Sequence, residues 1–91
     1  MSVEKRMFTV SGNLCGDRVR IGRAMHKPPL TQVTLAEKVQ FLGNSNMTES
    51  IIRRIEKGDR HVCDAELLIL AEALGVSMEW LVEATEEPRR K

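Results

Sequence analysis

The chain has few aromatic residues and no long apolar run, and each shortage limits what it can be. Its 91 residues include two Phe, one Trp and no Tyr, so the core must be aliphatic, built from Leu, Ile, Val, Met and Ala. No apolar run approaches the roughly 20 residues that span a bilayer, and the N-terminus lacks a signal-peptide pattern. We therefore expect a soluble, cytoplasmic protein without a membrane contact.

Cysteine is also scarce, and no group of residues has the spacing of a catalytic or metal site. Cys15 and Cys63 lie far apart, which predicts two free thiols in a reducing compartment. His61 is close to Cys63, but a structural zinc site needs four ligands at tight spacings. The chain has no phosphate-binding glycine loop and no nucleophile with a placed base. We expect no metal, no cofactor and no enzymatic activity.

The composition is that of one small globular domain, with 42 % hydrophobic and 30 % charged residues. The net charge is only +1, but the charges are segregated along the chain. Residues 1–61 carry eleven Lys or Arg and six Asp or Glu, whereas residues 62–87 carry seven acids and no Lys or Arg. Three of the last four residues are basic. This polarity favours contact between a polyanion and the first part of the chain.

Helical periodicity and capping residues predict five short helices and no strand. We expect a helix from Leu14 to about Met25, then helices capped by Thr31, Thr48, Asp64 and Ser77. The last should cover 78–84, and Gly43, Gly58 and Gly75 end the three before it. The predicted organisation is an N-terminal arm (1–13), a helical domain (14–86) and a flexible basic tail (87–91).

The third predicted helix has one apolar face and one cationic face. At about 100° per residue, Ile52 and Ile55 point together toward a core. Ser50, Arg53, Arg54 and Lys57 fall on the opposite face, with Glu49 and Arg60 at its margin. A basic helical face is often only solvated, but arginine can also clamp a guanine edge through two hydrogen bonds. The first backbone N–H groups after Thr48 can bind a phosphate. This face is suited to duplex DNA.

Three stretches in order resemble a known family: LTQVTLAEKV, MTESIIRRIEKGDR and LLILAEALGVSMEWL. They are similar to the helix-turn-helix domains of the Cro and phage-repressor type, the XRE family, over about residues 14–81. The resemblance implies an all-α, five-helix, lambda-repressor-like domain. The chain differs from the family pattern in two places. The turn between helices 2 and 3 is enlarged, through QFLGNSN, and KPP is inserted after the first helix.

The resemblance also implies a DNA-binding site. The helix after Thr31 would position the domain, with Gln32 at the DNA backbone, and the helix after Thr48 would enter the major groove. Residues implied to face bases or phosphates are Thr48, Glu49, Ser50 and Arg54. The helical wheel adds Arg53, Lys57 and Arg60 as phosphate partners. Glu49 could instead serve only as a favourable charge in the first helical turn.

We therefore expect a transcriptional regulator, a repressor, that binds double-stranded DNA as a homodimer. Candidates for the dimer contact are the fifth helix near Trp80 and the arm near Phe8; Trp80 could equally be a core residue. Two alternatives share the fold. One is an antitoxin whose acidic C-terminal half binds a toxin, and the other is a protein-interaction module without DNA binding.

Overall fold

The computed structural model describes residues 12–89. Within this range the chain forms five α-helices and no strand, which confirms the all-α prediction. The helices are α1 (Gly16–Ala24), α2 (Gln32–Phe41), α3 (Glu49–Glu56), α4 (Asp64–Leu74) and α5 (Met78–Leu81). None of these helices has the length and apolar character needed to cross a bilayer. Phe8, Arg90 and Lys91 lie outside the described residues, so the predicted contact of the arm is not addressed.

Three of the predicted helix starts have the expected side-chain caps. Thr31, Thr48 and Ser77 each have extended backbone geometry and accept a hydrogen bond from the backbone N–H three residues later. Such a cap contributes about 1 kcal/mol to stability, because it satisfies a helix N–H group that has no partner within the helix. At the other end of α4, Gly75 adopts a left-handed conformation, φ 74°, and ends the helix as expected.

Two predicted helix boundaries were wrong. The N-cap of α4 is Cys63 rather than Asp64, because the Glu66 carboxylate accepts the Cys63 N–H at 3.2 Å and starts the helix one residue earlier. The final helix stops at Leu81 instead of continuing to Ala84. Glu83 has a positive φ of 64°, which is incompatible with a continued right-handed helix.

The helices surround one core that is almost entirely aliphatic. α3 packs on α1 and α2, while α4 packs on α1, α2 and α5, and α1 also contacts α5. The largest fully buried side chains come from all five helices and two connecting segments: Val19, Leu35, Val39, Met47, Ile52, Ile55, Leu70, Val76 and Leu81. Trp80, 5 % exposed, is the one aromatic side chain among the buried residues of the described range.

The C-terminal part of the described chain is attached to α1 through Arg18. Its guanidinium donates to the carbonyls of Trp80, at 2.9 Å, and Thr85, at 3.2 Å, and pairs with Glu86. It also lies 4.7 Å from the centre of the Trp80 ring, which is a cation–π geometry. Further along, the Ser77 N–H donates to the Pro88 carbonyl. Hydrogen bonds to the rest of the domain therefore continue as far as residue 88.

Candidate nucleic-acid interface

Helix α3 is held in the core by two isoleucines and by the residue before its cap. Ile52 and Ile55 are completely buried, and Met47 is 1 % exposed, so the apolar side of the helix faces α1 and α2. Thr48 Oγ1 accepts the Ile51 N–H at 3.3 Å and fixes the start of the helix. The local sequence thus determines both where α3 begins and which of its faces is turned to solvent.

The outward face of α3 carries the cations that the helical wheel places there. Ser50, Arg53, Arg54 and Lys57 are all exposed. Arg53 pairs with Glu49 one turn earlier at 3.3 Å, which offsets part of its charge. The Arg54 and Lys57 side chains have no hydrogen bond or ion pair with any other residue between 12 and 89. No described residue therefore neutralises their charges.

A partly buried ion pair joins α3 to α1, and α2 adds a hydrogen bond to it. Arg23 Nε and a terminal nitrogen of the same guanidinium donate to the two Glu56 carboxylate oxygens at 2.7 and 2.9 Å. The Arg23 side chain is 17 % exposed and the Glu56 side chain 6 %. Gln32 Nε2 donates to the same carboxylate at 3.1 Å. Arg23 also contacts Leu30 twice: its side chain donates to the Leu30 carbonyl, and its own carbonyl accepts the Leu30 N–H. These bonds fix the C-terminal end of α3 against both neighbouring helices.

The start of α1 lies directly against the end of α3. A Cβ atom on Gly16 would lie 2.3 Å from the Ile55 carbonyl oxygen, so only glycine allows this approach. Asn13 reinforces it: its amide nitrogen donates to the carbonyls of Ile55, at 3.1 Å, and Arg60, at 2.8 Å. Its amide oxygen accepts the N–H groups that begin α1. Asn13 was not singled out from the sequence: the two carbonyls that it bonds in and after α3 lie more than 40 residues away, although an asparagine just before a helix is also a common local cap.

The enlarged turn between α2 and α3 is hydrogen-bonded back to the end of α2. Seven residues, 42–48, connect the helices, compared with roughly three or four in the usual motif. The Asn44 N–H donates to the Val39 carbonyl at 3.2 Å, and the Gln40 side chain donates to the Met47 carbonyl. With Met47 buried, the long turn is anchored at both ends. The position of α3 is therefore set by packing and by the Arg23–Glu56 pair rather than by a tight turn.

A family model described as helix-turn-helix matches residues 30–81, more than half of the chain, from just before α2 through α5. The chain belongs to the XRE-type helix-turn-helix family. No curated protein matches it, and no solved structure does. The domain of this family is a DNA-binding regulatory domain and is not typically enzymatic, and the chain has the double-stranded DNA-binding domain of a transcription regulator. α1 lies outside the matched range.

Within this XRE-type domain, two of the predicted DNA-binding residues, Gln32 and Arg60, are only partly exposed and are bonded to glutamates. Arg60 forms a two-pronged ion pair with Glu66, both bonds 3.1 Å, with 27 % of its side chain exposed. This pairing is the main cause of the lowered pKa of Glu66. Gln32 is half-buried and bonded to Glu56. The other six residues, Thr48, Glu49, Ser50, Arg53, Arg54 and Lys57, are exposed together on α3 and its two caps.

The residue that the sequence offered for an XRE-type dimer contact is not at the surface. Trp80 is buried against Arg18, which leaves its side chain unavailable to a second subunit. Trp80 is a core residue, which is the alternative that the sequence left open. The large exposed apolar side chains of the described range are instead Ile21, Met25, Val33, Phe41, Leu42 and Leu68.

Proposed function

We propose that this chain is a sequence-specific repressor that reads the major groove of DNA with the segment from Thr48 to Lys57. The observation that carries the proposal is the outward face of α3, where two cations without intramolecular partners in the described range accompany Ser50. A short side chain near the helix N-terminus lets the backbone approach base edges, while the cations lie one or two turns further on.

The residues on this face have different proposed roles. Arg54 is the candidate for direct base contact, because a guanidinium can bind guanine through two parallel hydrogen bonds. Arg53 and Lys57 neutralise phosphates, and Thr48 presents the first N–H groups of α3 to a phosphate. Glu49 has a free carboxylate oxygen that can accept a hydrogen bond from a cytosine amino group.

Gln32 and Arg60 complete the proposed interface at its edges. Gln32 lies at the N-terminus of α2, and its amide is already bonded to Glu56, so its contact with the DNA backbone uses the remaining polar atoms. Arg60 lies in the segment between α3 and α4 and shares its guanidinium with Glu66. We expect these two residues to orient the domain and to contribute less to affinity than Arg54 or Lys57.

We propose that the repressor acts as a homodimer on a pseudo-palindromic operator. A single recognition helix of eight residues contacts too few base pairs for a selective site. Two copies, with half-sites about one helical turn of DNA apart, double the contacts and match the symmetry of the site. Sedimentation of the protein with a duplex of that spacing should give two chains per duplex. One chain per duplex at saturation would contradict the dimer.

The repressor proposal is tested by fluorescence anisotropy with duplex DNA from upstream of the protein's own gene and with a scrambled duplex. Each is titrated at two salt concentrations. Tighter binding to the native duplex, weakened by salt, supports a sequence-specific regulator. Transcription from that promoter should fall when the protein is added. Equal binding to both duplexes contradicts specificity, and no binding at low salt would favour a protein-interaction module on the same fold.

A second candidate function is that of an antitoxin, which keeps the same DNA-binding face and adds a toxin as protein partner. The observation that favours it is the charge of residues 62–87, with seven acids and no Lys or Arg. Co-purification of a toxic partner encoded beside the gene would establish this function.

A further inference from the structure

A groove runs between α4, α5 and the segment that follows α5. Its volume is about 630 Å³, and its floor is mainly apolar, formed by Leu67, Leu68, Ala71, Val76, Met78 and Val82. Leu68 remains 45 % exposed although it is a large aliphatic side chain. An open apolar groove of this size on a helical surface is suited to the apolar face of another helix.

The exposed surface of α4 beside the groove is acidic. Asp64 and Glu72 are exposed and lie four residues before and after Leu68, so an acid flanks the exposed leucine on either side along the helix. Glu79 lines the groove from α5. Arg89 also lines it, but its guanidinium is paired with Glu87 at 3.1 Å, which offsets its charge.

The negative charge beside the groove favours a cationic partner over DNA or a second copy of the chain. DNA would be repelled by the acidic surface beside the groove, and no residue of α3 lines the groove. A second copy of the chain in a symmetric contact would place the same acidic surface on both sides, which costs free energy through like-charge repulsion. A cationic partner helix would be attracted by this negative charge rather than repelled by it.

We propose that the groove binds a cationic amphipathic helix of a partner protein, with apolar side chains on Leu68 and its neighbours and Lys or Arg side chains facing Asp64, Glu72 and Glu79. α4 has 11 residues, about 16 Å, so the bound helix would have roughly two or three turns. The proposal is independent of DNA binding, because none of these residues lies on the α3 face.

The first experiment uses one designed probe, a fluorescently labelled 14-residue helical peptide with Leu at every third or fourth position and Lys on both flanks. A matched peptide carries Glu in place of each Lys. Anisotropy titrations of the full chain should show binding of the Lys peptide and about tenfold or weaker binding of the Glu peptide. No binding of the Lys peptide at concentrations on the order of 1 mM would overturn the proposal.

Variants of the full chain separate docking in the groove from general attraction between opposite charges. Leu68→Ser removes the apolar contact at an exposed position, and we expect it to weaken binding of the Lys peptide by about tenfold. Glu79→Lys should weaken it by a similar factor, while Glu37→Lys, an exposed acid on α2, serves as the charge control and should have little effect. Equal losses for Glu79→Lys and Glu37→Lys, or no loss for Leu68→Ser, would overturn the proposal.

DNA binding is measured on the same variants. Leu68→Ser should leave anisotropy with the native duplex unchanged, so failure of the peptide experiment and failure of the repressor proposal are distinguishable. If Leu68→Ser instead converted a dimer to a monomer by sedimentation, the groove would be occupied by a second copy, and the cationic-partner proposal would be wrong.

Discussion

Arg54 and Lys57 are both exposed cations on α3, but their chemistry predicts different effects on DNA binding. Arg54→Ala should cost about 1–3 kcal/mol on the native site and relax base preference, because it removes the two-pronged base contact that we propose for Arg54. Lys57→Ala is the matched control: it should weaken all duplexes alike and reduce the salt dependence, as expected for a phosphate contact. Anisotropy on native and scrambled duplexes measures both. A sequence-dependent loss for Lys57→Ala would contradict its assignment.

Cys15 gives the fold a dependence on alkaline pH. Burial raises the pKa of this thiol from 9.0 to about 11. Between these values the unfolded chain releases the proton while the folded chain retains it, so the free energy of unfolding falls as the pH rises. The loss should reach roughly 2–3 kcal/mol near pH 11. Denaturant unfolding from pH 8 to 11 should show this slope, and Cys15→Ala should flatten it. Cys63→Ala is the control, and equal slopes in all three proteins would contradict the assignment.

The partly buried ion pair of α3 with α1 should matter more than the exposed one within α3. Glu56→Gln leaves the largely covered Arg23 side chain without a charged partner, and we expect a loss of about 1.5–3 kcal/mol in the free energy of unfolding. Glu49→Gln breaks only the exposed pair with Arg53 and should cost about 0–1 kcal/mol. Urea unfolding of both variants gives the comparison. Similar losses would mean that α3 is not held by the Arg23–Glu56 pair.

Two apolar residues, one near each end of the enlarged turn, test how the turn is anchored. Met47→Ala removes a side chain that is 1 % exposed and should cost about 2–5 kcal/mol. Phe41 lies at the other end of the connection, and 91 % of it is exposed, so Phe41→Ser should change stability by less than about 0.5 kcal/mol. Thermal unfolding distinguishes the two, and a large loss for Phe41→Ser would show that this side chain is packed.

The helices were more predictable from sequence than the contacts that hold them. Thr31, Thr48 and Ser77 could be predicted as helix starts, because a capping bond reaches only three residues along the chain and therefore depends on local sequence. The side of α3 that faces solvent followed from the spacing of Ile52 and Ile55. Arg23 and Glu56, by contrast, are 33 residues apart, and no local pattern indicates that they meet. For the same reason the sequence could not show that Trp80 is covered by Arg18. Arg60 and Glu66 are only six residues apart, but their pairing depends on how the chain turns between α3 and α4.

The whole domain depends on α1, although the family match starts after it. α1 contributes Val19 to the core, the arginine partner of Glu56, and the contacts of Arg18 with the C-terminal segment. A chain of residues 30–89 should therefore lose cooperative unfolding, while the full protein should unfold in a single sharp transition. Circular dichroism with temperature tests both. A sharp transition in the 30–89 chain would contradict this role of α1.

The close approach of α1 to the end of α3 restricts how this sequence can diverge. A Cβ atom at residue 16 would lie 2.3 Å from the Ile55 carbonyl oxygen, and one at residue 12 would lie 2.1 Å from that of Gly58. Distant relatives that keep this geometry must therefore retain glycine at both positions, whatever happens to the surface between them. The pattern Gly12-Asn13-x-x-Gly16, followed by Arg23 and far downstream by Glu56, is a signature with which homologues could be sought where overall similarity has faded.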